Sequence, residues 1–466
     1  MKRKFLKTIA ATAMVACAGI TLASCGGQTA DEAHTIVFYN TMGDSLQATL
    51  QTAIDTFETK YPGWKVESTQ IGGYDDVRDT IIGDLQAGTQ PDLAYCYADH
   101  VAQYITTGKV VDMTKHIKAT TGKVNIETEA GVEEKEVTVG FTAEEIADFV
   151  PGYYAEGYAT NYANYASYGY NAESMFTLPF VKSTEVLYYN ADALAKLGRE
   201  VPTTWDELWD ICEEALDEFD GVTPLGYDSE NNWFITMCMQ NGWGYTNAQA
   251  PHFSFNNEGT KAWLADLQDK FNKNLFTTQE IYGSYTSNLF VKGVENGAGG
   301  TVFSIGSSGG ASHQSSNLFK WGVAPIPGTK LADGTINNAA ISQGPNLVMF
   351  QTEAANAEEK ELMTWLFVKE LMEPAFQAAF SQSSGYNPSR KSTFDIDEYA
   401  EFLEGDSIVA VTAGVAATMS DRFFTSPAFV GSSTARDQVG TALMYAATGQ
   451  KTPEKALADA MSKCGA

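Results

Sequence analysis

Positive charge is scarce in this chain. Its 466 residues carry 30 Lys and Arg against 58 Asp and Glu, a formal net charge of −28. A surface so acidic repels polyphosphate backbones, which argues against nucleic acid as a partner, and it gives no general attraction to anionic lipid. Cysteine is scarce too. Six residues without a CxxC pair are too few and scattered for a disulfide-framed scaffold or a zinc ribbon. Beyond the first residues, no apolar run is long enough to span a bilayer. No repeat period and no Pro-rich linker divides the chain. What is abundant is core-forming material, 44% hydrophobic and 12% aromatic. That composition is globular, and the length suits two or three domains.

The amino terminus reads as an address. Met1 to Lys4 is a cationic n-region, and Thr8 to Ala23 is an apolar core. Leu22-Ala23-Ser24-Cys25 resembles a bacterial lipobox, in which Cys25 is acylated and becomes the new N-terminus. Residues 1–24 are then a lipoprotein signal, and 25–32 the lipidated Cys with a flexible tether. Cleavage before Cys25 leaves 442 of the 466 residues. It also takes four cations (Lys2, Arg3, Lys4, Lys7) from a charge of −28, making it −32. The expected product is anchored to a membrane without crossing it. Cys96, Cys212, Cys238 and Cys464 read as small buried hydrophobes.

The mature chain alternates. His34 to Asn40 is a β-rich run. Leu46, Leu50, Ile54 and Phe57 recur at helical spacing until Pro62-Gly63. Trp64 to Ile71 reads as a second strand. Val77, Ile81, Ile82 and Leu85 mark a second helix ending near Gly88, and Leu93 to Tyr97 a third strand. This β-α-β-α-β order predicts a largely parallel α/β sheet. Residues 120–174 break the rhythm and read as an inserted surface subdomain or long loop. Phe176 to Asn190 is a long extended segment. Helices are expected at 203–218, 258–272 and 353–380, and strands at 301–305, 321–325 and 346–351. A last helix is capped by Thr452 and opened by Pro453.

Gly306-Ser307-Ser308-Gly309-Gly310 follows a strand. Its backbone N–H groups and two hydroxyls suit an oxyanion or sugar hydroxyls, although a plain Gly/Ser turn has the same composition. The string also fits GxSxG, a nucleophile elbow with Ser308 as nucleophile, which makes a secreted serine hydrolase a remote alternative. That chemistry needs an acid and then a His downstream. The only later His is His313, with no acid between. Nothing singles out a glycosidase carboxylate pair. His100 and His116 lack metal-ligand spacing, and Asp31 to His34 reads as a solvated stretch.

Several segments in order carry a resemblance: VFYNTMGDSLQ, FETKYPG, IGGYDDV, QPDLAYCY, PFVKSTEVLYYN, VPTTWDEL, GGTVFSIGSSGG, WGVAPIPG, SQGPNLVMF, SGYNPSR and GQKTPEKAL. The chain resembles an extracellular solute-binding protein of a bacterial ABC importer, in the maltose-binding-like group and nearest its glycerol-3-phosphate-binding branch. The resemblance implies a periplasmic-binding-protein-like fold of type II, with two α/β lobes and a ligand cleft between them. It places the first lobe at 33–181 and 343–386, with the Tyr-rich insertion at about 120–174. The second lobe falls at 187–339 and 389–466, with crossings near Val181–Val186, Ala340–Ser342 and Asn387–Pro388.

Carried over by position, the branch's ligand contacts fall on Tyr74, Ser183, Ser307 or Ser308, Gly344, Tyr386 and Arg436. Asp99 matches an acidic contact loosely, since Ala98 holds the more direct position. The branch has two Trp near 230 and this chain has only Trp233, offset, as a stacking platform. Arg436 is suited to clamp a phosphate with paired donors, or else to form a surface or interlobe salt bridge. Tyr74 and Tyr386 flank turns where a ring and hydroxyl suit a wet cleft. Asp44 reads as a helix cap rather than a contact. The expected protein is a non-catalytic, lipid-anchored monomer on the extracytoplasmic face, without metal or cofactor. It delivers glycerol-3-phosphate or a glycerophosphodiester to a permease by lobe closure; the alternative ligand is a neutral sugar or oligosaccharide.

Overall fold

The computed structural model describes residues 33–465. The signal, Cys25 and the tether lie outside the described residues. Strand β1 (Thr35–Asn40) alternates partly and fully buried side chains, helix α1 (Asp44–Lys60) buries Leu50, Ile54 and Phe57, and β2 (Lys65–Gln70) follows. Helix α2 (Tyr74–Ala87) buries Val77, Ile81 and Leu85 and ends on Gly88, whose φ of 77° suits a left-handed cap. Strand β3 (Leu93–Cys96) is buried throughout, as a central strand covered on both faces must be. Helix α3 (Ala98–Tyr104) leaves its end.

Residues 120–174, expected as an inserted surface subdomain or long loop, carry secondary structure of their own. They open with a hairpin of β4 (Thr121–Thr128) and β5 (Gly131–Thr138), then run through short helical turns in which Tyr153, Tyr154 and Tyr162 are buried. The tyrosines are wall rather than loop. The Tyr162 ring packs on Phe176 and its backbone bridges to Ala428, while Tyr153 stacks on Phe423 at 5.9 Å. A phenol ring buries large apolar area without needing an apolar neighbour in sequence, so a Tyr/Gly/Asn string can hide a packed surface.

Strands β6 (Thr177–Pro179), β7 (Val181–Lys182) and β8 (Glu185–Asn190) carry the chain from one sheet to the other. The second half contains α4 (Trp205–Glu218), β9 (Leu225–Tyr227), α5 (Glu230–Asn241), α6 (Glu258–Asn272), β10 (Phe276–Thr278), β11 (Phe303–Ser307) and β12 (Trp321–Pro325). Helix α4 starts on a capping box, with the Thr204 hydroxyl accepting from Glu207 N–H. Strand β13 (Ala340–Ile341) leads back to β14 (Asn346–Met349).

The stretch expected as one helix at 353–380 is two, α7 (Ala357–Leu371) and α8 (Pro374–Ser384). Pro374 opens α8 and holds Glu373 extended, which ends the preceding helix. Strand β15 (Asn387–Pro388), strand β16 (Phe423–Phe424), helix α9 (Ser432–Ala447) and helix α10 (Pro453–Lys463) complete the chain.

Two five-stranded sheets result, ordered β2-β1-β3-β14-β6 and β10-β9-β11-β8-β12. In each, three parallel strands continue into antiparallel ones. Each sheet has its own core. One gathers Phe38, Phe57, Trp365 and Phe367, and the other Trp233, Phe276, Phe303 and Leu443. Three segments cross between them: β7 pairs with β15, β13 with β16, and Ser183 bridges to Gln343. Cys96, Cys212 and Cys238 are free and buried. No described helix is long and apolar enough to cross a membrane.

Candidate functional site

Open α/β sheets bind ligands beyond the carboxyl ends of their strands, where loops diverge. A cavity of about 560 Å³ lies there between the two lobes, a volume suited to a small solute. The first lobe contributes Thr41, just past β1, and Tyr386, just before β15; the crossing segment contributes Gln343. The floor belongs to the second lobe. Ser307 ends β11 directly opposite Glu185, which begins β8, while Asp228 follows β9. Gly306 keeps the floor open, because a Cβ there would stand 3.1 Å from Asp228 Oδ2 and 3.2 Å from Gln314 Nε2. Gly309 lets the lobes meet, since its Cβ would fall 2.5 Å from the Tyr386 ring.

The electrostatics are one-sided. Tyr227 Oη donates to Glu185 Oε2 at 2.5 Å, while Glu185 Oε1 has no partner of good geometry, with Asn232 beside it. Burial pushes this carboxyl up to about 8, although Tyr227 and Asn232 temper the rise. Asp228 is also raised by burial, against the pull of the Thr286 N–H and hydroxyl, which donate to its Oδ1 at 2.6 and 2.7 Å. A neighbouring groove of about 340 Å³ shares Asp228 and Ser229 and adds Asp75, Glu230, Glu280 and Asp437. Burial, then the nearby Asp75, pushes Asp437 up to about 6. Among the described residues lining cavity and groove, none is Lys or Arg.

The expected site residues divide. Ser307 and Tyr386 line the cavity. The Ser307 hydroxyl accepts from Gly309 N–H at 3.2 Å. Tyr74 opens α2, stacks on Tyr97 at 4.2 Å and shares a hydrogen bond with Tyr386, which puts it behind the cavity wall. Ser308 turns away. It is fully buried, its N–H donates to Thr184 O at 2.8 Å, and its hydroxyl accepts from Thr184 N–H at 3.3 Å. That hydroxyl stitches the crossing segment, which removes it as a nucleophile. Ser183 is buried in the same crossing, exchanging backbone hydrogen bonds with Gln343 at 3.0 and 2.8 Å. Gly344 has φ of 95°, and a Cβ there would meet Val181 O at 2.8 Å, so its role is to let two crossings touch.

Trp233 is not a platform. It is 0% exposed in α5, stacked on Tyr227 at 4.6 Å and surrounded by Trp205, Trp263 and Phe276. Arg436, on α9, reaches across to the first lobe rather than into the cavity. Its Nε donates to Asp99 Oδ2 at 3.1 Å and its Nη1 to Asn232 Oδ1 at 2.7 Å. Burial works to raise Asp99, but Arg436 and His100 outweigh it and hold the carboxyl below its usual range. Around this pair only a gap of about 30 Å³ remains, lined also by Gly344 and by Lys182, which is bound to Glu156. Both cations lining this gap are therefore spent on carboxylates. Asp44 lies in the first turn of α1, with Gly43 at the cap.

Glu185, Asp228, Gln314 and Gln343 escaped the sequence reading. Glu185 sits inside the quoted PFVKSTEVLYYN segment. Asp228 is the first residue past a parallel strand, the very position at which the fold class places ligand contacts.

Two α/β lobes, three crossings and a polar cavity at the strand ends define a two-lobed binding protein. The chain belongs to the bacterial extracellular solute-binding family, whose model matches residues 52–402. It is 24% identical over 442 residues to the sn-glycerol-3-phosphate-binding periplasmic protein UgpB of Escherichia coli K12, covering 92% of this chain and 91% of that one. Two solved structures share its fold. The substrate-binding protein Lmo0181 of Listeria monocytogenes, in complex with cycloalternan, has a TM-score of 0.70 at 16% identity, covering 92% of this chain and 98% of that one. UgpB of Mycobacterium tuberculosis, in complex with glycerophosphocholine, has 0.69 at 17%, covering 92% and 97%.

Proposed function

We propose that this protein is the solute receptor of an ABC importer and that it captures a polyhydroxylated solute, a sugar or polyol, rather than glycerol-3-phosphate. One observation carries the choice. The cavity is lined by hydroxyls, amides, tyrosines and two carboxyls, while Arg436 and Lys182 are already paired with Asp99 and Glu156. A phosphate would enter a negative field and find no free guanidinium. Hydroxyls both donate and accept, so they suit Ser307, Gln343, Asp228 and Glu185 together. The 24% identity to a glycerol-3-phosphate-binding protein favours the other ligand, but the residue that would clamp the phosphate is occupied here.

The lobes, 33–181 with 343–386 and 187–339 with 389–466, close on the solute because only the closed form makes contacts from both sides. The closed monomer then docks on its permease, held to the extracytoplasmic face by a lipid on Cys25. No bond in the solute is broken. Calorimetric titration of the mature protein with maltooligosaccharides, maltitol, glycerol-3-phosphate and glycerophosphocholine tests the ligand class. Heat with the hydroxylated compounds is expected; heat with glycerol-3-phosphate alone overturns the reading. Loss of labelled palmitate in Cys25→Ala tests the anchor.

A further inference from the structure

A buried carboxyl, Glu185, and a half-buried one, Asp228, share the cavity without a Lys or Arg. Glu185 is 1% exposed and Gln314 3%, and the Oε1 of each is buried without a hydrogen-bond partner. Asp228 uses Oδ1 for Thr286, while its Oδ2 faces the space that Gly306 leaves open, beside Gln314 Nε2, itself a donor. Burying carboxyls away from any cation and leaving acceptors orphaned is costly, and a ligand that supplies donors and positive charge recovers part of that cost. An ammonium group has three donors and a positive charge, whereas a hydroxyl offers one donor and none. The Tyr386 ring in the wall and the acidic groove beyond Asp228 add to the attraction for a cation.

We propose that the solute carries an ammonium group beside its hydroxyls, as in an aminated polyol or sugar, and that Asp228 and Glu185 receive it. This rests on the hydroxylated-solute reading above and narrows it.

A proton movement follows. The groups facing Glu185 are Tyr227 and Asp228 at the end of β9, Asn232 of α5 with Arg436 of α9 behind it, and His313 across the cavity. With its carboxyl pushed up to about 8, Glu185 is mostly protonated at pH 7. An alkylammonium, which titrates near ~10 like a lysine, keeps its own protons. Its approach favours the carboxylate, so the proton on Glu185 leaves to solvent.

The test compares 1-amino-1-deoxymaltitol with maltitol, which differ by one amine, by calorimetry on the full mature protein at pH 7. The aminated compound is expected to bind at least about tenfold tighter. Repeats in buffers of different ionisation enthalpy should show up to one proton released with it and none with maltitol. Asp228→Asn and Glu185→Gln, checked for folding by thermal melts, should weaken the aminated ligand more than maltitol. Glu185→Gln should also abolish the proton release. Equal affinities for the two compounds, or no proton release from the unaltered protein, overturn the inference and leave the hydroxylated-solute reading standing. Binding of glycerol-3-phosphate in preference to both removes the two together.

Discussion

Trp233 shows how a side chain's neighbours in sequence mislead. Asn231 and Asn232 precede it, yet α5 turns those amides toward Ser229 and Arg436 and drives the indole into the opposite face, among five other aromatic rings. Trp233→Ala should therefore cost roughly 3–5 kcal/mol of stability, as large-to-small core changes do. Urea denaturation measures the loss, and the folded fraction should still bind one solute per chain. Loss of binding with stability intact would restore the platform role. Gly309 makes the complementary case. Its missing Cβ is what allows Tyr386 to close over the cavity. Its φ is not in the left-handed region, so Gly309→Ala adds bulk without backbone strain. The variant should melt as the parent does but bind solute at least about tenfold more weakly.

At the level of elements, α3 and α9 face each other across the cleft. Asp99 sits in the first turn of α3 and Arg436 in the second turn of α9, so their ion pair forms only when the lobes meet. Arg78 of α2 reaches Asp437 of α9 at 3.7 Å in the same contact. Arg436→Met should leave Asp99 buried and unpaired, penalise the closed form and weaken solute binding on the order of 10- to 100-fold. Asp99→Asn with Arg436→Met should recover much of that. Additive losses in the double variant, read by calorimetry, would mean the pair is not a closing contact.

The sequence reading reached strands, helices and their order because each apolar periodicity is local, as with Leu50, Ile54 and Phe57. Tyr386, and Ser307 as one of a pair with Ser308, were legible through the family resemblance, and both line the cavity beside glycine turns. For Arg436 a phosphate clamp and a salt bridge both stay open in the sequence, because its partner Asp99 lies 337 residues away and no local pattern reveals which charges neutralise each other. For a similar reason the burial of the tyrosines at 153, 154 and 162 is not legible locally: surfaces that cover Tyr153 and Tyr162 come from Phe423 and Ala428, far along the chain.

Across the whole molecule, acidic groups in the cleft set the response to pH. The carboxyls of Glu185 and Asp437 are pushed up to about 8 and about 6, and Asp228 and Glu230 are raised as well. For such groups the unfolded chain ionises first as pH rises, so the folded state binds more protons between the two values. Stability then falls with rising pH. Their contribution is complete below the ordinary carboxyl range near ~4 and is lost by about pH 8. Asp99, Asp112 and Asp148 are shifted the other way, and their contribution is lost only as pH falls below that same range. The two sets leave a window between about pH 5 and 8 in which the protein should grow more stable on acidification, although its formal charge is −28. Urea midpoints at pH 5.5, 6.5 and 7.5 should fall in that order at fixed ionic strength. Glu185→Gln should flatten both steps, and Asp437→Asn chiefly the step between pH 5.5 and 6.5. A midpoint that rises toward pH 7.5 would mean these carboxyls are not held protonated in the folded cleft.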